Sequence, residues 1–516
     1  FLILQFLKSY RLALVKTARI LAVFPIPSIS HQVVFRPLTQ ELARRGHEVT
    51  VITTDPAKEQ PQANLTEIDV HDLSYRVWRE KFLTLSVGTN NDILSHIEIG
   101  FRLVSEVFQA QMKSQEVQDI IFNNEGFDLL LLESVPSTMA LSLLFKVPVI
   151  LISSYNSLAC HNKAMGVHSH HFLYPTAFHQ KVHNLTYYEK FQELYNQWWI
   201  EKYIEQSYDY LREVSSTIFG THLTPMNDLL ENVNILLRNV HPLWSNNQPV
   251  PNNVLYIGGI HKPPIKELPK EIQSYLDSAK NGVIYFSFGT NVKASLLPKK
   301  IIKIFQNVFS KLPYNIIWKW DEDDLPGKSE NVMIFKWIPQ PDVLRHPNVK
   351  LFITQGGLQS TDEAITAGVP LIGIPMLSPI EIYLQHLQLL GNFFFENYLF
   401  LTKLFCRYRE NIIRLREIRD DQPQSPVQRA VWWIEHVLQH GNADLLHAAG
   451  ANLSWIEYSE IELLLLVMSF IAITLIAFTQ FLEITFSKIA LFSLCFRVSN
   501  KTVTYNLSHP TSLLIS

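Results

Sequence analysis

Small and polar residues mark a point where a buried strand runs into a helix, within residues 349–370. The apolar run KLFIT is followed by QGG, and a helix is predicted to begin near Gln359 and Ser360. A helix start presents free backbone N–H groups and roughly half a positive charge, and small residues let an anion approach them. We therefore predict that Gly357, Gln359 and Ser360 form a seat for a pyrophosphate group.

Three further side chains near this seat have the chemistry to bind a nucleoside. Glu363 lies one helical turn further on, where its carboxylate can accept hydrogen bonds from ribose hydroxyls. Trp337 ends an earlier strand, so its indole can stack on a planar base, and Gln340 can offer a donor and an acceptor to the edge of uracil. Taken singly, these residues have structural alternatives: Trp337 as a core indole, Ser360 as a plain helix cap and Glu363 as a solvated carboxylate. Taken together, at the ends of adjacent strands, they favour nucleotide binding.

A histidine and a carboxylate follow two strands of the amino-terminal half. His31 comes shortly after the run ARILAVF, and Glu133 ends the run FDLLLLE. Imidazole is the usual general base near neutral pH, and a carboxylate beside it fixes its tautomer and stabilises the imidazolium. The pair predicts removal of a proton from an acceptor hydroxyl. The alternatives are a histidine that only begins a helix and a carboxylate with a structural role.

Strands that alternate with helices are expected to position these residues. This alternation predicts parallel sheets with helices on both faces, and ligands then bind at the carboxyl ends of the strands. A segment rich in Pro and Asn, residues 241–266, is predicted to link two such Rossmann-like domains that face each other across a cleft. The strand-like runs are ARILAVF, HEVTVIT, FDLLLLE, VPVILISS, GVIYFSFG, NIIWKW, NVMIFKW, KLFITQGG and VPLIGIP.

Composition excludes several classes of protein. The chain has 516 residues, 47% of them hydrophobic and 18% charged, and its net charge of −3 gives no electrostatic footprint for nucleic acid. Three cysteines, Cys160, Cys406 and Cys495, are too few for a disulfide framework, and their spacing fits no zinc site. The sequence contains no HExxH, GxxxxGK[ST] or GxGxxG motif.

Both ends of the chain carry apolar segments. Residues 1–18 are predicted to be a signal or leader remnant, although Lys8 and Arg11 interrupt the apolar core and favour a degraded leader as the alternative. Residues 463–482 contain no charge and are long enough to cross a bilayer as a helix. The flanking charges predict a cytosolic tail at 483–516 and a lumenal body. Sequons at Asn64 and Asn184 agree with a lumenal, glycosylated body.

Two segments of the amino-terminal half keep two interpretations. The aromatic helix predicted at 187–211 either packs on the first domain or touches the bilayer or a lipophilic substrate. The HSHH run at 168–171 is either a solvated loop or, with less support from its neighbours, a metal site.

The run WIPQ…LRHP…FITQGGLQSTDEAITAGVPLIGIP resembles the signature of the UDP-glucuronosyltransferase and UDP-glucosyltransferase family in its insect-like form. The resemblance extends from ARILAVFPIPSISHQ to RAVWWIEHVLQH and the apolar span. It implies an α/β fold of the GT-B type, with two facing Rossmann-like domains. The acceptor domain would be residues 19–240 and the donor domain residues 267–450, followed by one transmembrane helix. It further implies a single-pass type I protein of the endoplasmic reticulum membrane, with a lumenal active site and a role in detoxification.

The resemblance also implies partners and further site residues. The donor would be UDP-glucose or UDP-glucuronic acid, and the acceptor the hydroxyl of a small lipophilic aglycone, with inversion at the anomeric carbon. No cofactor and no metal are implied, and a homo- or hetero-oligomer is compatible with it. Ser287, Gly289 and Thr290 match the family's loop near the phosphates, and Gln355 stands where many relatives have a histidine. His31 matches the catalytic histidine, and Glu133 a position that is often aspartate.

One segment departs from the family. Where the family usually has an Asp-Gln pair for the hydroxyls of the donor sugar, this chain has Ser378, Pro379 and Ile380. The residues after them, to about 406, are unlike the family. Three hypotheses follow: an active transferase, a catalytically impaired homologue that acts as a membrane binding partner, and a membrane protein with a recycled fold and no nucleotide site.

Overall fold

The computed structural model describes residues 17–57, 62–82, 93–122, 126–167, 170–174, 176, 178–179, 184–220, 226–290, 292–374, 376, 401–441 and 448–505. The chain divides into two compact units, Phe1–Asn452 and Leu453–Ser516. Residues 1–16 of the predicted leader, 168–169 of HSHH, and the divergent positions Ser378, Pro379 and Ile380 lie outside the described residues.

The amino-terminal half of the first unit is built on a parallel sheet with the order β3-β2-β1-β4-β5-β6-β7. Its central strands are continuous apolar runs because both faces of the sheet are covered. Leu21 and Leu130 point into one core, whereas Ile20 and Leu129 point into the core on the opposite face. The strands are β1 (Arg19–Phe24), β2 (Glu48–Thr53), β3 (Leu65–Asp69), β4 (Leu129–Glu133), β5 (Val149–Ser153), β6 (Val233–Arg238) and β7 (Val254–Tyr256).

The second sheet is also parallel, with the order β10-β9-β8-β11-β12. Two separate apolar cores cover its faces, one containing Tyr285 stacked on Phe352 and the other containing Phe286 packed on Trp318. The strands are β8 (Val283–Ser287), β9 (Asn315–Lys319), β10 (Val332–Phe335), β11 (Val349–Thr354) and β12 (Leu371–Gly373).

Helices connect the strands of both sheets, as parallel pairing requires. Fourteen α-helices lie in the described part of the first unit: α1 (Ile29–Arg44), α2 (His71–Phe82), α3 (Ile93–Met112), α4 (Gln115–Phe122), α5 (Ser142–Phe145), α6 (Ala159–Ala164), α7 (Tyr187–Phe219), α8 (Met226–Glu231), α9 (Lys270–Ser278), α10 (Lys299–Phe309), α11 (Gln340–Arg345), α12 (Leu358–Ala367), α13 (Leu401–Asp420) and α14 (Pro426–His440). Short 3₁₀ helices span Pro136–Leu141, Pro242–Ser245 and Ala294–Leu296.

Helix α14 returns to the first sheet after the chain has completed the second. Its residues Val431 and Ile434 pack in the same core as Ile20 and Phe35. The structure also places β7 inside the predicted linker 241–266. The chain thus crosses between the two halves twice, and a single cut in sequence does not separate them. The predicted domain boundaries stay a prediction.

The second unit contains a short helix and one long apolar helix. These are α15 (Trp455–Tyr458) and α16 (Ile461–Tyr505). The segment Ile461–Arg497 contains an 18-residue stretch with a mean hydropathy of 2.6, and among the described residues it is the one helix long and apolar enough to cross a membrane. The predicted span 463–482 lies within α16, and the helix continues into the residues predicted as a tail.

Candidate active site

A cleft of about 790 Å³ lies at the carboxyl ends of strands from both sheets. The ends of β8, β9 and β11 and the start of α12 form one side of it, and the start of α1 lies on the other. All ten predicted donor-binding residues line this cleft together with His31. These are Ser287, Gly289, Thr290, Trp337, Gln340, Gln355, Gly357, Gln359, Ser360 and Glu363.

His31 and Glu133 are in direct contact. Helix α1 begins at Ile29, which places His31 in its first turn, and Glu133 is the last residue of the adjacent strand β4. His31 Nδ1 lies 2.6 Å from Glu133 Oε1, and the backbone N–H of Ile26 donates to Glu133 Oε2 at 3.3 Å. The Glu133 side chain is only 3% exposed, whereas that of His31 is 19% exposed and reaches the cleft. The histidine is therefore both a helix-start residue and one half of an imidazole–carboxylate pair.

Ser154, which sequence reasoning did not select, completes this group. It follows β5, and its Oγ lies 2.9 Å from His31 Nδ1. A carboxylate only accepts hydrogen bonds, so the contact with Glu133 assigns the proton to Nδ1. The other ring nitrogen, Nε2, is then left with its lone pair, which is the form that a general base needs. The signal in the sequence was the position of Ser154 at a strand end beside that of Glu133.

The start of helix α12 is open. Gly357 is its N-cap residue, and no side chain among the described residues caps the helix. The first intrahelical bond is donated by Thr361 to the Gly357 carbonyl, so the N–H groups before it have no partner within the helix. Among the described residues, and apart from its neighbours in the chain, a Cβ atom at Gly357 would meet no atom within 4 Å. This arrangement suits an anion, because it combines unpaired donors, the helix dipole and free space.

Gln340 ties three of the predicted residues into one network. Its Nε2 donates to Ser360 Oγ at 3.0 Å and to Glu363 Oε2 at 2.7 Å, and its Oε1 accepts from the Tyr285 hydroxyl at 3.0 Å. Both amide hydrogens of Gln340 are thus used inside the protein. In the structure Gln340 contacts Ser360 and Glu363, and one lone pair of its Oε1 is left for a ligand. The predicted contact of Gln340 with uracil stays a prediction.

Glu363 has a perturbed pKa. Burial raises the pKa of its carboxyl to about 7, although the hydrogen bond from Gln340 opposes the shift, and the nearby charge of Asp362 adds to it. Glu363 is therefore not a freely solvated carboxylate. Its charge changes near neutral pH at the wall of the cleft.

Trp337 stands at the mouth of the nucleotide side of the cleft. It follows β10 and is 58% exposed, so it is not a core residue. An exposed indole on a cleft wall offers a flat apolar face for stacking.

Lys319 is a second cleft residue that was not predicted from the sequence. It is the last residue of β9, lines the cleft, and donates from Nζ to the Gly289 carbonyl at 2.8 Å. Burial lowers its pKa, with Asp321 opposing. Gly289 has φ +80°, which favours glycine, and a Cβ there would lie 3.1 Å from Gln355 Nε2, so that the Gln355 side chain would have to move slightly. Lys319 thus brings a positive charge close to Gln355, whose amide is neutral.

The arrangement offers a general base, an open helix start, a stacking surface and a cation within one cleft. Among the residues that the structure describes, no three His, Cys, Asp or Glu side chains form a group able to hold a metal ion. The predicted absence of a metal stays a prediction.

Comparison with solved structures shows the fold. The chain is similar to UDP-glucose: anthocyanidin 3-O-glucosyltransferase in complex with UDP, with a TM-score of 0.54 and 15% identity, over 82% of this chain and 99% of that chain. It is also similar to a UDP-glucosyltransferase from Polygonum tinctorium, with a TM-score of 0.52 and 14% identity, again over 82% of this chain and 99% of that chain. The predicted GT-B fold, with parallel sheets in two domains, is confirmed.

Sequence comparison shows the family. The profile described as UDP-glucoronosyl and UDP-glucosyl transferase matches residues 19–493. The chain is 31% identical to the ecdysteroid UDP-glucosyltransferase of Spodoptera littoralis nuclear polyhedrosis virus, over 87% of this chain and 93% of the relative. It is 31% identical to UDP-glucosyltransferase 2 of Dactylopius coccus (89% and 91%) and 26% identical to human UDP-glucuronosyltransferase 2B7 (84% and 87%). With this match across nearly its whole length, the chain belongs to the family of UDP-glucuronosyl and UDP-glucosyl transferases.

Proposed function

We propose that this protein transfers glucose from UDP-glucose to a hydroxyl group of a small lipophilic acceptor, with inversion at the anomeric carbon. The observation that carries the proposal is the cleft itself. It brings the base His31 and the open start of α12 to the same space, with Trp337 on its wall. Family membership makes the donor a UDP-sugar; the identity of the sugar, the stereochemistry and the residue roles are our proposal.

The donor binds with its uracil stacked on Trp337 and its ribose hydroxyls on Glu363. The diphosphate lies against Gly357, Gln359 and Ser360, where backbone N–H groups and the helix dipole meet its charge. Ser287, Gly289 and Thr290 face the phosphates from the end of β8. Lys319 supplies the positive charge that Gln355 lacks.

The reaction is a single displacement. His31 Nε2 takes the proton of the acceptor hydroxyl as its oxygen attacks the anomeric carbon. The bond between that carbon and the β-phosphate oxygen breaks, and UDP leaves with the electron pair. Glu133 holds the proton on Nδ1 and stabilises the imidazolium. The helix start and Lys319 stabilise the charge that develops on the leaving phosphate. No metal is assigned a step.

Glucose is proposed over glucuronic acid because of the relatives. Identity to the viral and Dactylopius glucosyltransferases is 31%, against 26% to the human glucuronosyltransferase. The viral relative's name also supports a steroid as one acceptor class to test, beside phenols and flavonoids. We further propose that α16 anchors the protein in the endoplasmic reticulum membrane with the first unit in the lumen, as the flanking charges indicate.

The test measures UDP binding and acceptor glucosylation side by side on the full-length protein in membranes. UDP-glucose and UDP-glucuronic acid are each offered with a phenol, a flavonoid and an ecdysteroid. We expect saturable UDP binding and product formed with UDP-glucose. Failure to bind UDP would contradict the proposal.

An impaired homologue that acts as a membrane binding partner is the alternative, favoured by Ser378, Pro379 and Ile380 in place of the usual Asp-Gln pair. The same experiment separates the two, because the alternative predicts UDP binding with no turnover on any acceptor.

A further inference from the structure

Asp362 is a buried carboxylate on helix α12, one turn after the helix begins. It lies between Thr361 and Glu363 on α12, and it is 1% exposed. Among the described residues, neither of its carboxylate oxygens has a hydrogen-bond partner. An unbalanced charge in such a place is strongly destabilising, so a counter-charge is required.

Arg419 supplies that charge from a helix that follows the divergent segment. It is 2% exposed, near the end of α13, and its Nη1 lies 3.6 Å from Asp362 Oδ1. The same Nη1 donates to the Asp362 carbonyl at 3.0 Å, and Nη2 donates to Thr366 Oγ1 at 2.8 Å. One guanidinium therefore contacts the carboxylate and the backbone carbonyl of Asp362 and the side-chain hydroxyl of Thr366, one turn further along α12.

The contacts of Arg419 continue to the wall of the cleft. Its Nε donates to Asp420 Oδ1 at 2.9 Å, and Lys262 Nζ donates to the same oxygen at 2.5 Å. Although burial opposes it, the hydrogen bonds from Lys262 and Arg419 lower the pKa of Asp420. Lys262 lines the cleft. The series of contacts from Asp362 through Arg419 and Asp420 to Lys262 therefore connects helix α12 to the loop after β7.

We propose that Arg419 is a positioning residue for the donor: it balances Asp362 and holds the start of α12 where Ser360 and Glu363 face the nucleotide. The inference rests on the proposed donor site and adds a residue to it. Arg419 itself does not line the cleft, so it acts through α12 rather than on the donor.

The electrostatic consequence falls on Glu363. Besides burial and the bond from Gln340, its carboxyl faces Asp362 on its own helix, Asp342 and Arg345 on α11, and the Tyr285 hydroxyl on β8. The Asp362 charge raises the pKa of Glu363. Removal of Arg419 leaves the Asp362 charge unbalanced and should raise the pKa of Glu363 further. Removal of Asp362 eliminates that charge and should lower the pKa of Glu363.

The test compares Arg419→Gln, Asp362→Asn and the double variant in the full-length protein. Arg414→Gln, on the exposed side of the same helix, is the matched control. UDP-glucose affinity is titrated from pH 5.5 to 8.5, and the KM values for donor and acceptor are measured separately. We expect Arg419→Gln to raise the donor KM at least tenfold with little change in acceptor KM, and to move the pH midpoint of donor affinity upward. Asp362→Asn moves that midpoint downward, and the double variant returns within about threefold of wild type.

A purely structural role would lower the thermal midpoint of unfolding and leave the donor KM and the pH midpoint unchanged; that result overturns the inference. If Arg419→Gln does not fold, Asp362→Asn alone decides, since an unmoved pH midpoint contradicts the assignment. A wild-type protein that binds UDP-glucose beside insensitive variants overturns this inference alone, whereas a wild type without binding overturns the proposed function as well.

Discussion

Gln359 donates a hydrogen bond from Nε2 to the backbone carbonyl of Ser154 at 2.9 Å, across 205 residues of sequence. Ser154 in turn places its hydroxyl 2.9 Å from His31 Nδ1. The helix start proposed to hold the diphosphate thus touches the segment that holds the proposed base. This contact joins the two halves of the first unit at the cleft.

Gly357→Ala is expected to remove donor binding without unfolding the protein. Its φ of −56° suits alanine, and the added methyl group contacts none of the described residues outside its own turn, so we expect it to intrude on the ligand. We expect UDP affinity to fall at least tenfold while stability changes by about 1 kcal/mol or less. Calorimetric titration with UDP and thermal unfolding measure the two effects.

Gly100→Ala is the matched control, because Gly100 lies within helix α3 and an added Cβ meets none of the described residues outside that helix within 4 Å. It should keep UDP affinity and gain roughly 0.5–1 kcal/mol in stability. Equal UDP affinity in Gly357→Ala and wild type would show that the diphosphate binds elsewhere.

Trp337→Ala is expected to weaken UDP binding by about 1–3 kcal/mol, the value of one base–aromatic stack, which is roughly 5–150-fold in affinity. Trp432, 51% exposed on α14 and outside the cleft, provides the control Trp432→Ala, which should bind UDP as wild type does. Replacement of uridine diphosphate by inorganic pyrophosphate as the titrant should abolish the difference. A Trp337→Ala variant with wild-type affinity for UDP would place the base elsewhere.

Donor affinity is expected to rise as pH increases through about 7. The raised pKa of Glu363 keeps its carboxyl largely protonated below that pH, and only the carboxylate accepts from both ribose hydroxyls at full strength. UDP-glucose is the appropriate titrant, since the terminal phosphate of UDP itself titrates near pH ~6.

Glu363→Gln should flatten this pH profile at the low-affinity level. The raised pKa of Glu363 also affects the free energy of unfolding. Its contribution is fully present below the ordinary glutamate pKa of 4.5 and is lost as pH rises through about 7. Affinity independent of pH between 6 and 8 in the wild type would remove Glu363 from the ribose site.

Many features of the fold and site were predictable from local pattern. Strands such as β1 and β4 are continuous apolar runs, and polar residues such as Glu133 at their ends lie at one edge of a parallel sheet. The contact of His31 with Glu133 follows from the pairing of β1 with β4. Strands β3, β6 and β7 were missed; β6 lies next to a segment that looks like a linker, and β3 is a half-exposed edge strand.

Other features depend on contacts that no local pattern encodes. The engagement of Gln340 by Tyr285, Ser360 and Glu363 joins three elements, and its amide is saturated only once these are packed. The return of α14 to the first sheet likewise depends on tertiary packing.

The proposed lumenal orientation predicts N-linked glycans on the first unit. Asn64 and Asn184 are exposed sequons, so Asn64→Gln and Asn184→Gln should each remove one glycan when the protein is made in insect cells. Asn500 and Asn506 also begin sequons but follow the apolar segment, and Asn500→Gln/Asn506→Gln should change nothing. Gel mobility before and after enzymatic deglycosylation reads the result. Loss of glycans only in the Asn500→Gln/Asn506→Gln variant would show the opposite orientation, with the first unit in the cytosol.

Glu133→Gln tests the tautomer at the base. An amide can donate to Nδ1 and place the proton on Nε2, where it blocks general-base function. We expect turnover to fall roughly 10²–10⁴-fold with UDP affinity within twofold of wild type. Wild-type turnover in Glu133→Gln would leave Glu133 with a structural role only.

The most direct test of the account compares UDP binding with acceptor-dependent UDP release in wild type and His31→Ala. The cleft geometry predicts that His31→Ala binds UDP like the wild type and loses roughly 10²–10⁴-fold in glucosyl transfer. Transfer that survives unchanged in His31→Ala, or a wild type that binds no UDP, would contradict it.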